Sequence, residues 1–199
     1  MIKAVTFDLD GVYFTSQSFK NFKANLPKKI TDEDKVNWVL YKSPEMLNFK
    51  MGKMSENDYW DFVRKELGVE LDNSEIFKLL RDSYEVNPEV RDYVLEIKSK
   101  GLKACICSNN FVTKIRELNT RFYFLKDFDV KVFSYEVGVM KPEKGIFETL
   151  IARSGVKPEE IVYADDDESK LQGAIDLGMS ELVYDGFEKF KEKVNTLIE

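Results

Sequence analysis

Histidine is absent from the 199 residues of this chain. That absence excludes a Ser-His-Asp triad, a Cys-His protease, a phosphohistidine enzyme and a His-rich zinc site. Acid–base chemistry must come from carboxylates, Lys, Tyr or Cys. Cysteine is scarce as well, with only Cys105 and Cys107. Two residues apart on one strand, they are poorly placed for an intrachain disulfide, and we expect small buried hydrophobes in a reducing, cytoplasmic setting. No apolar run approaches the roughly 18 residues of a membrane span. The brief apolar start at residues 2–7 is too short for a signal peptide. A net charge of -6 argues against a nucleic-acid partner held by phosphate contacts.

What is present supports a folded domain. Hydrophobic residues make up 43% and charged residues 33%, enough for a substantial core. The length fits one domain, or one domain carrying an insertion. Short β-rich runs at 2–8, 102–108, 130–133, 160–164 and 181–184 read as buried strands, several stopped by Asp, Asn or Gly. Between them, 88–100, 143–154, 168–177 and 186–198 read as helices, the first opening with Pro88 and ending before Gly101. Such alternation predicts a parallel sheet covered on both faces.

Residues 14–86 break the alternation. They show no convincing strand and four helical stretches, 32–42, 44–50, 55–67 and 74–85, the third starting at Ser55 with Asp58 as a near capping box. We expect an α/β core from 1–13 and 87–199 and a helical insertion over 14–86. Within it, residues 14–54 carry eight Lys against four acids. That charge reads as a solvated face or as a field steering anionic substrates.

Ligands of an open parallel sheet sit outside the carboxyl ends of its strands. There this sequence places Asp8 and Asp10, then Ser108 and Asn109, then Lys141, then Asp165, Asp166 and Asp167. Five carboxylates against one ammonium call for a hard divalent cation with oxygen ligands, Mg²⁺ foremost. Ser108, Asn109 and Lys141 would complete a phosphate cradle, with backbone N–H groups of the following helix adding to it.

These segments, in this order, resemble the haloacid dehalogenase superfamily. Asp8-Leu9-Asp10-Gly11-Val12 is similar to its first motif, Ser108-Asn109 to its second, Lys141-Pro142 to its third, and Asp165-Asp166 with the following Gly173–Gly178 stretch to its fourth. The resemblance covers the core from end to end. Phe49-Lys50-Met51-Gly52-Lys53-Met54-Ser55 is similar to the cap segment of its helical-cap members. It implies a Rossmann-like α/β core, an all-helical cap after the first strand, and a phosphatase of small soluble phosphomonoesters. Small sugar-phosphate phosphatases, such as those acting on α-glucose-1-phosphate, are the nearest in general likeness.

On that resemblance Asp8 would be the nucleophile and Asp10 the acid and base. Lys141 would hold phosphate and nucleophile, with Ser108 and Asn109 on the phosphate. Mg²⁺ would rest on the Asp8 carboxylate, the Asp10 backbone carbonyl and Asp166, with Asp165 direct or through water. Asp167 and Lys170 depart from the family pattern, and we expect them to pair outside the site. The same residues suit a phosphomutase. A dehalogenase would need neither Asp10 nor the metal, and a receiver domain has the acidic cluster in the wrong order. A non-catalytic binding relative is the remaining alternative. We expect a monomer or weak homodimer, Trp38 and Trp60 in the cap core, and Lys50 and Lys53 either solvated or facing substrate.

Overall fold

The computed structural model describes residues 1–15, 19–26 and 32–198. Lys28 and Lys29 of the lysine-rich stretch lie outside the described residues. Strand β1 (Ala4–Phe7) leads through a turn to β2 (Phe14–Thr15). Helices α1 (Lys20–Ala24), α2 (Glu33–Asn37), α3 (Pro44–Lys50), α4 (Glu56–Leu67) and α5 (Asn73–Asp82) follow, and then β3 (Glu85–Val86). The remainder alternates: α6 (Pro88–Ser99), β4 (Lys103–Ser108), α7 (Val112–Phe122), β5 (Val130–Phe133), α8 (Ser134–Val137), α9 (Lys144–Ser154), β6 (Ile161–Asp165), α10 (Gln172–Ile175), β7 (Ser180–Val183) and α11 (Phe187–Ile198).

Five strands form one parallel sheet in the order β5-β4-β1-β6-β7. Strand side chains alternate between faces. Val5, Phe7, Ala104 and Ile106 enter a cluster with Val94, Ile97, Phe190 and Val194 on one face. Ala4, Cys105, Cys107 and Tyr163 pack with Phe147, Leu150 and Ala174 on the other. Both cysteines are free and buried, and burial pushes their thiols up to about 12, which leaves them inert at neutral pH. Among the described residues no helix is long and apolar enough to cross a membrane.

The helices between β2 and β3 build their own core around Trp60, Tyr59, Phe49, Leu40 and Leu80. Phe111, at the mouth of the sheet, joins this cluster and stacks on Phe19. Ser55 starts α4 as expected, its hydroxyl accepting from Asp58 N, and Asp72 with Glu75 adds a full capping box at α5.

Three local expectations change. Residues 14–86 do contain strand: β2 and β3 pair antiparallel, Phe14 with Val86 and Thr15 with Glu85, where the chain leaves and re-enters the sheet layer. Two residues each are too few to show an alternation in sequence. The helix over 32–42 opens after Asn37 into a π-helical turn, Trp38–Lys42. The helix over 168–177 is a 3-10 turn, Glu168–Lys170, followed by the short α10. There a Cβ on Gly173 would fall 2.1 Å from Pro142 O, so the backbone is pressed against that loop.

Candidate active site

β1 lies mid-sheet with β4 and β6 on its two sides, and register places Phe7 opposite Ile106 and Ala164. The next residue of each strand therefore stands at one edge: Asp8, Cys107 and Asp165. This is the point where the order of strands reverses, which is where such sheets open a crevice.

Lys141 is the pivot of that edge. It is buried, and its ammonium donates to Asp165 Oδ2 at 2.6 Å and to Cys107 O at 3.0 Å. It stands 3.0 Å from Asp8 Oδ1 as an ionic contact, while that oxygen receives no hydrogen bond. Burial alone would lower the Lys141 pKa, but the two carboxylates overcome this and hold it above its ordinary range. Asp8 is pushed up, by burial and then by Asp165 and Asp10, with Lys141 and the Ser108 hydroxyl opposing.

Asp8, Asp165 and Asp166 each offer an oxygen, all within 4.8 Å of one another. Their states differ. Asp165 is engaged by the protein: besides Lys141, it accepts from Tyr163 OH at 2.7 Å and Asp167 N at 3.0 Å. Asp166 makes no hydrogen bond with a described residue, and burial with the charges of Asp8 and Asp165 raises its pKa to about 6. Its carboxylate lies against Gly11, where a Cβ would sit 2.0 Å from Asp166 Oδ2 and φ is +79°. That close approach and left-handed backbone require glycine after Asp10. An orphaned Asp8 oxygen and a proton-hungry, unbonded Asp166 fit a hard cation.

Asp10 turns away from this trio. Its two carboxylate oxygens each accept from Lys114 at 2.6 Å, and Oδ2 also accepts from Asn110 Nδ2 at 3.1 Å. Burial would raise its pKa, but Lys114 outweighs it and holds the carboxyl below its usual range. Asn110 also donates to Ser108 Oγ at 3.1 Å, which links the second strand end to Asp10. The Asn109 side chain is engaged on both sides by the backbone of Lys141: Oδ1 accepts from Lys141 N at 2.7 Å and Nδ2 donates to Lys141 O at 3.0 Å. This amide, expected on phosphate, clamps the Lys141 loop. Asp10, whose backbone carbonyl is the expected metal ligand, keeps its carboxylate on Lys114.

Asp167 and Lys170 pair at 3.3 Å, and Asp167 caps its turn by accepting from Ser169 N. Trp60 is buried and donates to Thr113 Oγ1, whereas Trp38 is 43% exposed, so only the former belongs to the helical core. Lys53 is exposed beside Met51. Lys50, by contrast, lines a cavity of about 50 Å³ with Asp10, Lys114, Tyr41, Tyr84 and Phe111. The Ser134 hydroxyl donates to Lys50 O at 2.7 Å, and a Cβ on Gly52 would meet Tyr135 O, which seats this helical segment on the sheet layer.

Lys114, Asn110, Tyr41 and Tyr84 were not singled out from sequence. Lys114 left one signal. It is a lysine in the first turn of α7, a turn without an acid, at the helix end that repels cations. A partner outside the helix is needed to hold it there.

The model of the haloacid dehalogenase-like hydrolases matches residues 2–178. The chain belongs to that family, an enzyme family of hydrolases. It is 25% identical over 187 residues to the phosphorylated carbohydrates phosphatase of Thermotoga maritima, covering 91% of this chain and 84% of that protein. It is 30% identical over 110 residues to the bifunctional epoxide hydrolase 2 of Mus musculus, a match over 53% of this chain but only 20% of that much longer protein. A HAD family enzyme of Bacteroides thetaiotaomicron, solved as a mutant with magnesium and inorganic phosphate, superposes with a TM-score of 0.82 at 20% identity. That alignment covers 98% of this chain and 99% of the other.

Proposed function

We propose that this protein is a Mg²⁺-dependent phosphatase that hydrolyses a small phosphomonoester through a phosphoryl group carried on Asp8. The observation that carries this reading is the buried Asp8 oxygen without a hydrogen bond, facing Lys141 and grouped with Asp165 and Asp166. Membership of a hydrolase family and likeness to a phosphorylated carbohydrates phosphatase support it. So does a similarly folded enzyme solved with magnesium and phosphate.

Asp8 and Asp166 would hold Mg²⁺, the first through its orphaned oxygen and the second through a carboxylate that no described donor occupies; Asp165, engaged by three donors, acts through Lys141. The ion would neutralise phosphate charge that otherwise repels a carboxylate nucleophile. Lys141 orients Asp8 and meets a phosphate oxygen, and Ser108 offers a hydroxyl to another.

The reaction then balances on two carboxylates. An Asp8 oxygen bonds to phosphorus as the ester P–O bond breaks, and the leaving oxygen takes a proton from Asp10. Lys114 keeps Asp10 ionised in the free enzyme, so that proton arrives with the substrate. Phosphomonoesters have a second pKa of about 6 and are partly monoanionic at neutral pH. In the second half, Asp10 takes a proton from water as its oxygen attacks phosphorus, and Asp8 leaves as a carboxylate. The proposed organisation is a core of 1–13 and 87–199 with a cap of 14–86, the β2–β3 ribbon forming the stem.

Release of inorganic phosphate from p-nitrophenyl phosphate tests this. Activity should need Mg²⁺, vanish with EDTA and vanish in Asp8→Asn. Unchanged turnover under EDTA or in that variant would contradict it.

A further inference from the structure

The cavity beside Asp10 contains an ammonium that no described residue pairs directly. Its charged walls are Asp10, Lys50 and Lys114. Lys114 is matched by Asp10. Lys50 closes α3 with its carbonyl pinned by Ser134, and its ammonium makes no hydrogen bond and no ion pair with any described residue. The other cations near this edge are committed, Lys141 to Asp8 and Asp165 and Lys170 to Asp167. Lys50 is half-buried, and an ammonium partly withdrawn from water without a partner is unfavourable; an anion that enters recovers that cost.

The transferred phosphoryl group does not account for Lys50. It is met by Asp8, Ser108 and Lys141, none of which lines this cavity. The cavity opens on Asp10, the residue that protonates the leaving oxygen, so it receives the alcohol. Its volume of about 50 Å³ encloses only a few atoms, and Phe19 and Phe111 line it with apolar wall. A hexose or nucleoside is too large to be enclosed there, and a second phosphate would set up to two negative charges against one unpaired ammonium, whereas a carboxylate matches its single charge.

We propose that Lys50 binds a carboxylate on the leaving group, so that the preferred substrate is the phosphate ester of a two- or three-carbon hydroxy acid. This rests on the phosphatase reading above and narrows it to a substrate class. The carboxylate would accept a charge-assisted hydrogen bond from Lys50, with Asp10 within reach of the ester oxygen.

The test compares hydrolysis of phosphoglycolate, ethyl phosphate and ethane-1,2-diol bisphosphate with Mg²⁺ present. We expect kcat/KM for phosphoglycolate to exceed the other two by about 30-fold or more. In Lys50→Met and Lys50→Gln the ratio of phosphoglycolate to ethyl phosphate should fall at least about tenfold, through KM. Melting temperatures report folding, and neither variant should melt lower, because an unpaired ammonium is being removed. Binding is read separately on Asp8→Asn protein: phosphoglycolate should raise its melting temperature more than ethyl phosphate does, and adding Lys50→Met should erase the difference.

Equal use of acid and ethyl ester by the native protein overturns this inference and leaves the phosphatase reading standing. So does preference for the bisphosphate, or an equal loss on both esters in the Lys50 variants. No phosphate from any of the three, with p-nitrophenyl phosphate still hydrolysed, overturns this inference alone; no phosphate from p-nitrophenyl phosphate either overturns both.

Discussion

Lys114 Nζ lies 2.6 Å from both carboxylate oxygens of Asp10 and 4.4 Å above the centre of the Tyr84 ring. Lys114 is buried and Asp10 half-buried, and the contact fixes the proposed acid–base residue in direction as well as in charge. General acid catalysis matters most when the leaving group is a poor one. Lys114→Met should therefore lower kcat for an alkyl phosphate by about 100-fold. It should affect p-nitrophenyl phosphate, whose leaving group needs little protonation, much less. Steady-state kinetics on the two esters reads the difference, and an equal loss on both would assign Lys114 to the fold instead.

Gly11 gives a second expectation. A Cβ at this position collides with Asp166 Oδ2 and is strained at φ +79°. Gly11→Ala should cost about 1–2 kcal/mol in stability from the backbone alone. By displacing Asp166 it should also weaken Mg²⁺ binding. Calorimetric titration with Mg²⁺ checks the second effect, which a purely local strain would not produce.

The charge of Lys50 predicts a pH dependence. Burial lowers its pKa to about 8, helped by Lys114 and opposed by Asp10 and Asp8, with Lys170 adding a weaker push downward. Those are the charged groups that face it from the β1 turn, α7 and the β6 turn. As pH rises through about 8 the free protein loses this ammonium. KM for phosphoglycolate should then climb relative to KM for ethyl phosphate, and below that pH the ratio should be flat. A ratio that stays constant to pH 9.5 would separate Lys50 from the carboxylate.

Trp60 couples the helical layer to the sheet layer. It is fully buried, it contacts Phe49 and Phe111, and its indole donates to Thr113 on α7. Thr113 and Arg116 both engage Glu56, and Arg81 engages Glu117, so α7 is tied to α4 and α5 by charge as well. Trp60→Ala should destabilise the protein by about 3–5 kcal/mol, read by urea denaturation.

The strand ends were legible because each carries its chemistry in sequence: Asp8 and Asp10 after β1, Ser108 closing β4, Asp165 and Asp166 at and after the end of β6. The sheet followed from apolar runs between polar stops, which needs only period and length. The partners of these residues were not legible. Lys114 reaches Asp10 across 104 positions, and Arg81 reaches Glu117 across 36, because helices from different segments face one another. Lys50 and Lys53 look alike in sequence, yet only Lys50 faces the cavity, since Gly52 turns the chain between them. The Asn109 amide and the β2–β3 ribbon depend on one backbone meeting another, which no local pattern encodes.

The central claim is that Asp8 carries the phosphoryl group. Rapid acid quench of the Asp10→Asn variant with Mg²⁺ and phosphomonoester, followed by borohydride reduction and peptide mass spectrometry, tests it most directly. Homoserine is expected at position 8, dependent on substrate and on Mg²⁺, and none in Asp8→Asn. An unmodified residue 8 in protein that releases a stoichiometric burst of alcohol would contradict it.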